Sequence, residues 1–97
     1  LEPALSESVG ATFAKALKDA TDEAARRGVP YQAAEDFLLG HLTILLAVAF
    51  GIQPNGKLSD GCMLAINEAE PVIFKEGWLD NIFDPKAVKA SVEAICK

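Results

Sequence analysis

The sequence predicts an all-α domain, with two long helices followed by shorter C-terminal ones. Three observations carry this. Apolar residues recur at helical spacing along most of the chain, and no stretch alternates with the two-residue period of a half-buried strand. Gly, Pro, Ser and Asp also stand where helices begin and end. The 97 residues make a single small domain, and 51% hydrophobic against 24% charged residues calls for a packed core and excludes disorder.

The first helix is expected from about Glu2 to Arg27. Leu1, Leu5, Val9, Phe13 and Leu17 recur every four residues, and Ala20, Ala24 and Ala25 continue the stripe. Pro3 suits a first turn and Gly28 a left-handed terminus. Such a helix is about 39 Å long at 1.5 Å per residue, so one end is expected to project or to pack on a partner. Val29-Pro30 turns the chain into a second helix, about Pro30 to Phe50. Its broad face holds Tyr31, Ala34, Phe37, Leu38, His41, Leu45 and Val48, and Gly51 closes it. Ile52 to Leu58 is a loop, with Pro54 and Asn55-Gly56 as turn formers. Ser59 caps a third helix with Asp60 in its first turn, and Met63, Leu64 and Ile66 give it apolar contacts. Pro71 is expected to kink or end that helix. Val72 to Phe83 should form one or two short helical turns broken near Gly77. Asp84-Pro85 opens a terminal helix with Val88, Val92 and Ile95 on one face.

Composition excludes several functions. A net charge of −5 with scattered Lys and Arg offers no basic face for nucleic acid. Arg26-Arg27, the adjacent basic pair, sits where cations complement a helix C-terminus. Cys62 and Cys96 belong to no C-x-x-C or Cys/His cluster; they could form one disulfide, but a core this apolar favours reduced thiols of an intracellular, cytoplasmic protein. With one histidine no ordinary zinc site can be built, and no metal is expected. No signal or transit sequence is recognisable. The chain begins Leu1-Glu2-Pro3 without Met, and it is read as a piece of a longer protein.

The segment 36–51, DFLLGHLTILLAVAFG, is the most informative. From Phe37 to Phe50 only Gly40, His41 and Thr43 are not frankly apolar, and these three do not make a solvent face. A helix apolar all round must be buried all round. A chain this short has little with which to wrap it, so cover from a second chain or another domain is expected. The run is shorter than the roughly 20 apolar residues of a bilayer crossing, and no membrane partner is expected. His41 has Phe37, Leu38, Ile44 and Leu45 as its helical neighbours. It is either a packed interface histidine with one hydrogen bond, or an imidazole lining a cleft as acid, base or substrate partner. Asp36 is either a solvated boundary carboxylate or a second site residue. Five positions from His41, it lies about 140° around the helix axis and cannot orient that ring. Gly40 in mid-helix costs about 1 kcal/mol relative to Ala, which is most simply explained by close approach of another helix. Lys75-Glu76-Gly77-Trp78 either edges a cleft or, more simply, caps a core with the indole. No G-x-G-x-x-G, Walker loop, nucleophile elbow or paired-carboxylate motif is present.

Several stretches together resemble one family. They are Ala33-Ala-Glu-Asp-Phe-Leu-Leu-Gly-His41, Ala47-Val-Ala-Phe-Gly51, Leu1-Glu-Pro-Ala-Leu-Ser-Glu7, Ser59-Asp-Gly61 and Ile73-Phe-Lys-Glu-Gly-Trp78. They are similar to the C-terminal domain of phosphogluconate-dehydrogenase-like NAD(P)-dependent oxidoreductases, within the branch that includes D-apionate oxidoisomerase. The resemblance implies an all-helical 6-phosphogluconate-dehydrogenase C-terminal-domain fold over residues 1–97, serving dimerisation and one wall of a substrate cleft. It further implies an N-terminal Rossmann domain, absent here, that binds NAD or NADP. A small polar hydroxy acid or sugar acid would be the substrate, and a homodimer would form through the helix 37–50. Nothing here matches the glycine-rich motif that carries the catalytic Lys of the classical 6-phosphogluconate and 3-hydroxyisobutyrate dehydrogenases. That role is therefore not carried to Lys15 or Lys75. His41 is carried over as the characteristic position of the Asp-Phe-x-x-Gly-His motif, and it is the candidate catalytic residue. Asp36 and His41 are the candidate substrate-binding residues, and no cofactor-binding residue is assigned to this chain. The competing readings are a free-standing all-α dimerisation or adaptor module, and a helical bundle binding a small molecule around Leu45, Phe50 and Trp78.

Overall fold

The structure, a computed structural model, describes residues 1–53 and 56–95. The turn expected at Pro54-Asn55, and Cys96, lie outside the described residues. Among those described, every regular element is helical and no strand occurs. A π-helical segment Ala4–Ala11 leads into α1 (Thr12–Arg26). Then follow α2 (Tyr31–Ala49), α3 (Asp60–Ile73), α4 (Trp78–Phe83) and α5 (Pro85–Ile95).

The first helix has the expected extent but not the expected winding, because the segment Ala4–Ala11 is wound as a π-helix. Its apolar residues supply a reason. A stripe repeating every four residues drifts by about 40° per step on an α-helix of 3.6 residues per turn. A π turn, bonded five residues back, rotates less per residue, so its drift has the opposite sign. Following the π segment with α winding keeps Leu1, Leu5, Val9, Phe13 and Leu17 nearer one line.

Both long helices stop as their glycines dictate. Gly28 (φ 109°) donates to the Ala25 carbonyl and Val29 to that of Ala24, while Gly51 (φ 72°) donates to Val48 and Ile52 to Ala47. These are paired Schellman bonds, which need a left-handed residue at the first position past the helix. Pro30 precedes α2 with ψ 131°, outside the helix rather than in its first turn. The Ser59 hydroxyl accepts from the Cys62 N–H at 3.1 Å, as the expected cap. Asp84 caps α5, its Oδ1 accepting from Lys86 at 2.9 Å and Ala87 at 3.2 Å. Pro71 does not end α3, which continues to Ile73. The helix ends two residues beyond Pro71, and the break falls between Ile73 and Gly77 (φ 78°).

The described chain divides into two compact units, Leu1–Asp19 with Phe74–Lys97, and Ala20–Ile73. In the first, the π segment, α4 and α5 pack on one another, and Ala4 is buried. Phe13, Phe74 and Trp78 form an aromatic cluster there, with ring centroids 5.4 Å (Phe13–Phe74), 5.1 Å (Phe74–Trp78) and 6.1 Å (Phe13–Trp78) apart. Trp78 is half-buried and thus serves as a packing residue of this unit. Its truncation to Ala is expected to cost about 2–3 kcal/mol, below the 3–5 of a fully buried aromatic. Urea unfolding of the whole protein checks this.

The second unit contains the last part of α1, with α2 and α3. Glu23 accepts from both Arg26 and Arg27, the latter at 2.7 Å. The hydrogen bond from Arg27 and then that from Arg26 hold the Glu23 carboxyl below its ordinary pKa of 4.5. The Arg pair therefore serves this carboxylate as well as the helix terminus. Of α2, no residue is buried.

Candidate functional site

α2 carries both residues that the sequence singles out. It forms because Tyr31 to Ala49 contains no Pro, and its single interior glycine, Gly40, is outweighed by Leu and Ala of high helix propensity. Its apolar residues remain open. Phe37 is 69% exposed, Ile44 59% and Phe50 78%, with Leu39, Leu45 and Leu46 also exposed. Covering those six side chains would release on the order of 5–10 kcal/mol.

At 19 residues, α2 is by length and composition long and apolar enough to cross a membrane. This corrects the expectation from its shorter all-apolar part. Gln32, Glu35 and Asp36 in its first turns, with His41 and Thr43 farther along, are costly groups within a bilayer.

His41 sits against its own helix. Its Nδ1 lies 3.1 Å from the Phe37 carbonyl oxygen, and its ring stacks on the Phe37 ring with centroids 4.2 Å apart at 29°. Asp36 is engaged elsewhere, accepting from the Gln32 Nε2 at 2.9 Å. The structure does not bring the two together. They face directions about 140° apart, as helical geometry requires, His41 among Phe37, Ile44 and Val48, Asp36 on a stripe with Gln32, Gly40 and Thr43. The Thr43 hydroxyl is satisfied by the Leu39 carbonyl at 3.0 Å. A Cβ built on Gly40 meets nothing within 4 Å, so no packing among the described residues accounts for that glycine.

The other ionisable groups add no chemistry of their own. Lys15 donates to Asp19 at 2.7 Å on the solvent face, and that hydrogen bond raises its pKa above the ordinary 10.5. It is held protonated, the opposite of what a lysine base needs. Cys62 is a free, half-buried thiol. Among the described residues no group of three or more His, Cys, Asp or Glu could hold a metal ion. Sequence reasoning missed the Phe37 stack on His41, although its i,i+4 spacing was there to read.

The chain has counterparts among known proteins. Residues 1–96 match the family described as phosphogluconate dehydrogenase (decarboxylating) C-term, and the chain belongs to that family. Among its relatives are proteins named D-apionate oxidoisomerase from Cupriavidus necator and from Rhizobium rhizogenes. Each is 44% identical over 95 residues, which is 98% of this chain and 34% of the relative. A crystal structure from Cupriavidus necator, described as a semialdehyde dehydrogenase NAD-binding protein in complex with calcium and NAD, aligns with a TM-score of 0.91. It is 44% identical, and the alignment covers 98% of this chain and 34% of that one. The chain thus spans about a third of the length of the relatives it matches.

Proposed function

We propose that this chain is the helical substrate-side and dimerisation domain of an NAD(P)-dependent oxidoreductase that oxidises a sugar acid, with D-apionate the first candidate. The observation that supports this reading best is the 44% identity over 98% of the chain to proteins named D-apionate oxidoisomerase. In this reading a nucleotide-binding Rossmann domain precedes residue 1 in a cytoplasmic protein, and α2 residues 37–50 pair with a second copy.

The described residues do not themselves fit a dinucleotide. They include no strand–loop–helix turn whose backbone N–H groups could cradle a pyrophosphate, and in this reading the cofactor is held mainly by the other domain. They also include no cluster that would hold the calcium of the related structure. Oxidation of a hydroxyl group removes a hydride from carbon and a proton from oxygen, and nicotinamide chemistry concerns the hydride. The proton needs a base on the substrate wall. In this reading His41 is the group on this chain that takes it, as an imidazole on the substrate wall. Asp36, on another face of α2, would bind substrate hydroxyls only from a different side of the cleft.

The test is to express the whole gene product and follow NADH or NADPH formation with D-apionate and a panel of related sugar acids. Turnover that requires both nucleotide and sugar acid supports the proposal. A product that contains no nucleotide-binding domain, or binds no dinucleotide, overturns it in favour of a non-catalytic helical module.

A further inference from the structure

We propose that Phe37 is the positioning residue of His41, fixing its neutral ring with the proton on Nδ1 so that Nε2 is the atom that accepts. This rests on the reading of His41 as a proton acceptor. The Phe37 carbonyl oxygen has lone pairs and no proton. At 3.1 Å from Nδ1, it is held only by a ring that donates there. With the proton on Nε2 instead, two lone pairs would face each other at that distance. The same carbonyl lies four residues back, so the helix itself sets its position relative to the imidazole.

The Phe37 ring supplies the second constraint. Stacked at 4.2 Å and 29°, it holds the imidazole against the helix where Nδ1 meets the carbonyl, and a ring freed from the stack would leave that carbonyl and its preference for the Nδ1 proton. Both contacts come from one residue and converge on one outcome, an Nε2 lone pair pointing away from the helix. A histidine in the other tautomer would present N–H to the substrate oxygen and could not take its proton.

The experiment uses the whole gene product with 15N-labelled histidine. The His41 signals are identified by their loss in His41→Asn, and spectra are taken at a pH where the ring is neutral. The expected result is a protonated, pyrrole-like Nδ1 and a pyridine-like Nε2. Phe37→Leu keeps the carbonyl but loses the stack, and it should shift the tautomer ratio toward Nε2–H by roughly two- to tenfold. Turnover should fall in proportion to the Nδ1–H fraction that remains, with KM held within about twofold, and Phe37→Tyr should restore both. A wild-type ring protonated on Nε2, or a ratio indifferent to Phe37→Leu, overturns the inference. Full turnover in His41→Asn together with the expected tautomer would leave the positioning intact and refute the base assignment instead.

Discussion

Ile44→Glu is expected to dissociate the assembled protein. Ile44 lies in the middle of α2 and is 59% exposed within the single chain, so in the proposed dimer its side chain passes from water into an apolar interface. A carboxylate carried there without a partner costs several kcal/mol, and about 4 kcal/mol corresponds to a thousandfold weaker association. Light scattering after size exclusion should show monomer, or aggregate through the newly freed helix, at micromolar concentrations. Ile44→Val, which keeps the apolar surface, should remain assembled. An unchanged dimer in Ile44→Glu would mean that this face of α2 meets solvent and that dimerisation lies elsewhere.

His41→Asn should separate the two roles open to this residue. As the proton acceptor lining a cleft, its loss lowers kcat by about 10²–10⁴, while the thermal transition moves little, because among the described residues the side chain contacts only its own helix. As a packed interface residue it would do the reverse, lowering Tm or association with kcat of the assembled enzyme preserved. Kinetics and a thermal melt on one preparation distinguish these.

Most of the fold was legible because its signals are local. Gly28 and Gly51 end helices through bonds made within six residues, and Ser59 and Asp84 cap theirs within three. The π winding of Ala4–Ala11 was not read, although the four-residue apolar repeat contained a hint of it. Pro71 marked the end of α3 to within two residues, since proline has no N–H to carry the helix on. The Phe13–Phe74–Trp78 cluster joins residues about sixty positions apart in sequence, and no periodicity reveals such a contact. At the site, the separation of Asp36 from His41 followed from helix geometry. What covers Gly40 and the apolar faces of α2 was not legible, since those surfaces find no partner among the described residues.

That missing cover is the centre of the account, and hydrogen exchange on the whole gene product measures it most directly. Amides of α2 from Phe37 to Phe50 should be protected to the level of global unfolding, as in the core elements of a stable protein. Rapid exchange through that segment, as from an exposed helix, would contradict the claim that α2 is buried in the working enzyme.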